Sequence, residues 1–190
     1  GIAKGAIASG IDIYYAYPMT PATPVLGELA AKQKDENILV LELENEIAVA
    51  SAGVGSSITG AKTMVGTSGG GFDLMGETLS MAGIAGAPLV FYLAQRTGPG
   101  TGDLNIARHS GHGEFERVVL APGDSLESIE LINQAFYLSQ KFGVPSIIIS
   151  DKHCAESFFT VDKKEKITKS GKWTKFGRYN SYEKNSEGSA

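Results

Sequence analysis

Six mostly apolar runs, at 11–17, 37–41, 62–67, 88–93, 117–121 and 145–150, alternate with stretches of helical composition, and that alternation leaves few folds open. Runs of near-continuous Val, Ile and Leu are strands covered on both faces, because a sheet with one wet face shows polar residues at every second position. The intervening segments end a small-residue helix at Gly5 to Gly10, and predict further helices over Val25 to Lys32, from Glu46 onward, from Phe72 to about Gly83 and over Ser125 to Lys141. Strand and helix in strict turn specify an α/β, doubly wound, mostly parallel sheet.

Breaks between the runs have identifiable causes. Prolines at 18, 21 and 24 fix φ and remove three backbone donors, forcing a turn after the first strand. Thr23-Pro24 reads as a helix start, with Thr as cap and Pro at the first helical position. The 37–41 run reads as a buried strand, and the stretch from Arg96 to Gly111 as a polar, glycine-rich loop. After Asp151 the texture changes: from Asp162 to Ala190 the chain is charged, serine-rich and poor in aliphatics, so it contributes little burial toward its own ordering. The expected organisation is one domain over 1–155 and a connector or docking arm over 156–190.

Charge and cysteine content exclude several classes. The 190 residues carry a net charge of −4 with a pI near 5.4, and Lys and Arg form no stripe, so neither nucleic acid nor an anionic membrane is an expected partner. No apolar run approaches the roughly 20 residues that span a bilayer, and a cytoplasmic location is the expectation. Cys154 is the only cysteine, which rules out an internal disulfide and a cysteine-ligated iron–sulfur cluster held by this sequence alone.

In open parallel sheets, ligands bind beyond the carboxyl ends of the strands. The segments to inspect are therefore Tyr17 to Thr20, Glu42 to Glu46, Thr67 to Gly71 and Gln95 to Gly102. Glu46 falls in the first turn of a helix whose small side chains, Ala48 to Gly55, admit close approach of other backbones. Favourable interaction with the helix dipole accounts for a carboxylate there without any catalytic role, so both explanations stand. Gly69 to Gly71, between a strand and a helix, suits either an anion cradled on backbone N–H groups or a tight turn; no Gly-Lys-Ser/Thr follows, and it is no P-loop. Arg96, just past a strand, suits bidentate capture of a carboxylate or a structural ion pair. His109 and His112 lie in a glycine-rich stretch with no acidic or cysteine partner at helical spacing, and no metal site is expected. His153 and Cys154, adjacent on what reads as an extended segment, point to opposite sides and form no dyad.

Taken together, Tyr17-Pro-Met-Thr-Pro, Glu42-Leu-Glu-Asn-Glu-Ile-Ala, Thr67-Ser-Gly-Gly-Gly-Phe-Asp-Leu-Met, Gln95-Arg-Thr-Gly-Pro-Gly-Thr-Gly and Gly113-Glu-Phe-Glu-Arg-Val-Val-Leu-Ala-Pro resemble the alpha subunit of 2-oxoacid:ferredoxin oxidoreductases, in family order. The resemblance implies the pyrimidine-type domain of a thiamine-diphosphate enzyme that oxidises a 2-oxoacid to acyl-CoA. It implies a beta subunit carrying the diphosphate-binding domain, Mg²⁺ and an iron–sulfur cluster, with gamma and delta subunits also in the family, and with coenzyme A and ferredoxin as co-substrates.

By the same resemblance Glu46 contacts the aminopyrimidine, Arg96 meets the substrate carboxylate, and Thr20 lies near the keto group. Pro18, Ser68 and Gly69 are the other implied cofactor contacts. A carboxylate against the pyrimidine ring favours the imino tautomer, whose nitrogen takes the thiazolium proton, and the cofactor then serves as an electron sink for decarboxylation. A dry site strengthens that bond.

The sequence departs from the family pattern where Ser68-Gly-Gly-Gly71 stands for the usual Ser-Gly-Pro-Gly. It is also shorter between Gly102 and His112 and lacks the usual lead-in and C-terminal domain, so a fragment is expected. Two other classes compete: a non-catalytic assembly or regulatory module with the same fold, and an anion-binding α/β protein working alone through Gly69 to Gly71.

Overall fold

The computed structural model describes residues 1–96 and 102–161, and in it the six apolar runs form one all-parallel sheet. The elements are α1 (Ile2–Ala8), β1 (Ile13–Ala16), α2 (Thr23–Lys32), β2 (Leu39–Glu42), α3 (Glu46–Ile58), β3 (Thr63–Ser68), α4 (Gly69–Leu74), α5 (Gly76–Ile84), β4 (Val90–Ala94), α6 (Gly102–His109), β5 (Val118–Leu120), α7 (Ser125–Phe142), β6 (Ser146–Ser150) and α8 (Lys152–Glu156). Strand order is β2-β1-β3-β4-β6-β5. Because β2 lies on one side of β1 and β3 on the other, the winding reverses between β1 and β3, and a crevice opens at their carboxyl ends.

The sheet divides the interior into two apolar layers, and alternate residues of each central strand serve each one. Tyr14, Met64, Tyr92 and Ile148 face Ile2 and Ala6 of α1, Leu26 and Leu29 of α2, and Ile132 and Phe136 of α7. Tyr15, Val65, Phe91 and Ile147 face Val49 and Val54 of α3, Phe72 of α4, Leu79 of α5 and Ala107 of α6. Period-two alternation with both sets apolar is why these runs read as continuous in the sequence. Helix α3 reaches the sheet closely because Gly53 has no side chain: a Cβ there would lie 2.6 Å from Val65 Cγ1 and 3.1 Å from Leu89 Cδ2.

Several local expectations change. β2 is an edge strand, with Leu39 and Leu41 respectively 47% and 38% exposed, since an aliphatic run reads the same whether or not a neighbour covers it. Helix α2 begins at Thr23 itself, with Ala22 as its cap and no side-chain cap bond; Pro24 is still inside the first turn. The helix expected from Phe72 begins three residues earlier, on the glycines, and is interrupted at Met75. Within the stretch expected to be a loop, 102–109 is helical, with Asp103 in its first turn and Arg108 and His109 in its last. Residues 152–156, expected to be extended, form a helical turn capped by Asp151, whose Oδ1 accepts the Cys154 N–H at 2.6 Å. His153 and Cys154 therefore do not point apart as neighbours on an extended segment would; His153 is exposed and its ring bonds Ser157 Oγ at 2.8 Å instead.

The 156–190 arm lies mostly outside the described residues; its described part, 156–161, begins with the last residue of α8 and continues without regular structure, leaving Phe158, Phe159 and Val161 exposed. Among the described residues no helix is long and apolar enough to cross a membrane.

Candidate functional site

Four adjacent strands, β2, β1, β3 and β4, end on one edge of the sheet, and the residues that follow them are those singled out in the sequence. Glu46 is the first residue of α3. Its helix starts where it does because Asn45 takes an extended backbone and accepts the Ala48 N–H on Oδ1 at 2.9 Å. The charge-complementarity explanation predicts a solvated carboxylate, but Glu46 is only 3% exposed. Its Oε1 is buried and, among the described residues, no donor reaches it.

A buried acceptor left unpaired costs about 1–3 kcal/mol, more when charged, so a fold tolerates one chiefly where a ligand supplies the donor. The walls around it are equally specific. A Cβ placed on Gly71 would sit 2.6 Å from Glu46 Oε1, 3.0 Å from Glu46 Cγ and closer still to Thr67 Oγ1. The carboxylate therefore lies in space that Gly71 leaves open, beside the last residues of β3.

Ser68 and Gly69 are both buried at that edge. Ser68 takes the cap position of α4 without making a side-chain cap bond, and its Oγ is a second buried oxygen with no partner among the described residues. Gly69 faces Asp103, whose Oδ1 would lie 3.1 Å from an added Cβ. The other oxygen of Asp103 accepts the backbone N–H of Arg96 at 3.0 Å, which fixes the start of the segment after β4. Arg96 is exposed, as are Pro18 and Thr20 on the loop after β1, where the Thr20-Pro21 peptide bond is cis. The structure thus brings Glu46, Thr67 and Gly71 together, and separately Gly69, Asp103 and Arg96. Pro18 and Thr20 share the carboxyl edge with them.

Two carboxylates flanking the glycine triplet repel a phosphate, which removes the physical basis for reading Gly69 to Gly71 as an anion cradle. His109 ends α6 and His112 follows it, and among the described residues no group of three or more His, Cys, Asp or Glu is placed to hold a metal ion. Two phenols in the opposite layer, Tyr14 and Tyr92, are both pushed up by burial, Tyr92 to about 12 despite its bond to Ser150 Oγ at 3.0 Å. Neither exchanges protons near neutral pH; among the described residues Glu46 is the buried carboxyl at this edge.

Asp103 is not evident from the sequence, because it sits inside the Arg96 to Gly111 stretch that reads as a glycine-rich loop. Its signal was an acidic residue opening an eight-residue amphipathic stretch, 102–109. Thr67 lay within a segment marked for inspection but was given no role.

The sequence matches, over residues 4–186, the family described as pyruvate flavodoxin/ferredoxin oxidoreductase, thiamine diphosphate-binding. Among curated relatives, the 2-oxoglutarate synthase subunit KorA of Methanothermobacter marburgensis is 34% identical over 174 residues, covering 86% of this chain and 46% of that one. The 2-oxoacid:ferredoxin oxidoreductase 1 subunit alpha of Aeropyrum pernix is 35% identical over 175 residues, covering 84% of this chain and 27% of the relative. The chain therefore spans about half the length of such relatives or less.

Among solved structures, the 2-oxoglutarate:ferredoxin oxidoreductase of Magnetococcus marinus, determined with 2-oxoglutarate, coenzyme A and succinyl-CoA bound, superposes with a TM-score of 0.77 at 35% identity. That match covers 81% of this chain and 28% of that one. A thiamine diphosphate-dependent 4-hydroxybenzoylformate decarboxylase of Rhodococcus jostii shares the fold, with a TM-score of 0.62 at 17% identity.

Proposed function

The chain belongs to the thiamine diphosphate-binding family of pyruvate flavodoxin/ferredoxin oxidoreductases, and from that premise we propose that it is the pyrimidine-binding part of a 2-oxoacid:ferredoxin oxidoreductase alpha subunit. The observation that carries this reading is Glu46 Oε1, an acceptor buried at the carboxyl edge of the sheet with no donor among the described residues. A ring N–H is the donor it lacks, and the pyrimidine of thiamine diphosphate offers one in its protonated or imino form, so the residues present fit that group.

Thiamine diphosphate, when bound, supplies the electron sink that lets a 2-oxoacid lose CO₂. Glu46 would accept a hydrogen bond from the ring nitrogen and hold the proton there, in a pocket dry enough that water does not compete. Arg96 would pair with the substrate carboxylate; its exposure leaves the guanidinium free to do so, and Asp103 anchors its backbone. Thr20 would place its hydroxyl by the 2-oxo group. Pro18, Ser68 and Gly69 would line the cofactor's pyrimidine side, with the Ser68 hydroxyl offering one unused polar atom.

The family relationship supports a hetero-oligomer in the cytoplasm, in which a beta subunit binds the diphosphate with Mg²⁺ and holds an iron–sulfur cluster. Coenzyme A and ferredoxin would be the co-substrates, with gamma and delta subunits as further partners. Exposed Phe158, Phe159 and Val161 support residues 156–190 as an arm that leaves the 1–155 domain to dock elsewhere.

The test is Glu46→Gln in the assembled enzyme. The expected result is turnover lower by about 10²–10⁴-fold, the usual worth of a positioned proton-transfer group, with assembly retained. Wild-type turnover would remove the proposal. In parallel, Arg96→Ala is expected to raise KM for the 2-oxoacid, and an unchanged KM would return the non-catalytic module to favour.

A further inference from the structure

The three glycines that open α4 are consecutive in sequence yet meet three different surroundings. An added Cβ on Gly70 would meet nothing within 4 Å. On Gly69 its three nearest neighbours would be atoms of the Asp103 carboxylate, from 3.1 Å. On Gly71 it would run into two functional groups at once, Glu46 Oε1 at 2.6 Å and Thr67 Oγ1 closer still. Gly71 is itself buried in the first turn of its helix, and Thr67 is fully buried at the end of β3, so neither wall faces solvent.

We propose that Gly71 and Thr67 form the seat that fixes the Glu46 carboxylate, making them positioning residues for the proton held at the cofactor ring. This rests on the reading of Glu46 given above and goes beyond it by naming what holds the side chain still. A glutamate has three rotatable bonds, and its carboxylate is aimed only if packing removes the alternatives.

Glu46 lacks the hydrogen bonds that ordinarily do this: its Oε1 has no donor among the described residues, and the Thr67 hydroxyl is turned to its neighbour's carbonyl, donating to Ser68 O at 3.4 Å. What remains is shape. The stem of Glu46 passes over Gly71, its Cγ lying 3.0 Å from where a Cβ would be, and the Thr67 hydroxyl borders the same space. A methyl group at Gly71 must push aside both the Glu46 carboxylate, the end of a flexible side chain, and the Thr67 hydroxyl, which sits on a stiff β-branched residue in a buried strand, so the carboxylate is the group that moves most easily.

The experiment compares Gly71→Ala, Gly70→Ala and Thr67→Ala in the assembled enzyme, beside Glu46→Gln. Turnover, KM for the 2-oxoacid and the near-ultraviolet circular dichroism of added thiamine diphosphate, which reports the ring tautomer, are read in each. Gly71→Ala is expected to lower kcat about 10²-fold, the effect of roughly an ångström of misplacement, with KM little changed and the tautomer signal lost. Gly70→Ala, one residue away in open space, is expected to match wild type in all three. Thr67→Ala adds no bulk, so it folds even if Gly71→Ala does not; opening one wall, it is expected to cost about tenfold in kcat and to weaken the same signal.

A wild-type tautomer signal and kcat in Thr67→Ala, or in a folded Gly71→Ala, overturn the seat. So does an equal loss in Gly70→Ala, which would show a general effect of stiffening the helix. If Glu46→Gln is itself fully active, the reading of Glu46 and the seat fall together; if it is inactive while Gly71→Ala is wild type, only the seat falls.

Discussion

Helices α3 and α7 begin with the same local grammar and put it to opposite uses. Each follows a strand by a few residues, each has an Asx residue in extended conformation as its cap, and each carries a glutamate in its first turn. In α7 both acids serve the helix end: Asp124 Oδ1 accepts the N–H groups of Leu126 and Glu127, both at 2.8 Å, and Glu127 Oε2 turns back to accept Gly123 N–H at 2.6 Å. Glu127 is exposed and serves its own helix. In α3 the glutamate is at the first position, not the third, and cannot reach back to the cap. It is turned inward over Gly71, and among the described residues its Oε1 is left unpaired. A first-turn glutamate is a stabilising device when its oxygens are spent on the helix terminus, and a site when they are withheld from it.

Moving the carboxylate along α3 breaks the comparison with the largest effect. In Glu46→Ala/Ala48→Glu the acid goes from the first helical position to the third, opposite Asn45, where it completes a capping box as in α7. Helix stability is expected to hold or rise by about 0.5–1 kcal/mol in urea titration, while turnover of the assembled enzyme falls by about 10²–10⁴-fold. A variant that kept its activity would show that a carboxylate anywhere in this turn suffices, and the distinction between the two helices would dissolve. Next in size is Gly53→Ala, which forces α3 off Val65 and Leu89. Overpacking of that kind is expected to cost about 1–3 kcal/mol of unfolding free energy and to lower kcat, because Glu46 rides on the same helix.

How much of this was legible beforehand follows from which signals are local. All six strands and the parallel sheet were readable, since continuous apolar runs alternating with helices admit little else. That β2 is an edge strand was not, because Leu39 and Leu41 look like core residues until topology leaves them without a neighbour. The start of α7 at Ser125 follows from its amphipathic pattern, whereas a start read from the side chain of Thr23 fails, because Ala22 takes the cap position and no side chain is used. At the site, the sequence placed Glu46 in the first turn of α3 but could not say whether it faces water, because burial there depends on Gly71 and Thr67, more than twenty residues away. Asp103 was hidden for the same reason: its meaning lies in a backbone bond to Arg96 across a glycine-rich segment.

Smaller perturbations at α7 sharpen the contrast by isolating the purely structural half of it. Asp124→Ala removes an acceptor for two N–H groups and is expected to lower unfolding free energy by about 0.5–2 kcal/mol with kcat unchanged. Glu127→Gln keeps the shape but gives up the charge near the helix N-terminus and weakens the bond to Gly123. Its cost is expected to be smaller, about 0.3–1 kcal/mol at low ionic strength, and to shrink as salt is added, because the group is exposed and screened. Glu46→Gln should respond differently on the same axis. Its side chain is buried, so its effect on turnover is expected to be independent of salt over the range in which the Glu127→Gln effect on stability fades. Parallel salt titrations of the two variants decide this. If the Glu46→Gln defect in turnover were relieved by salt in step with the Glu127→Gln defect in stability, Glu46 would be acting through the helix dipole after all, and its burial would have no bearing on the reaction.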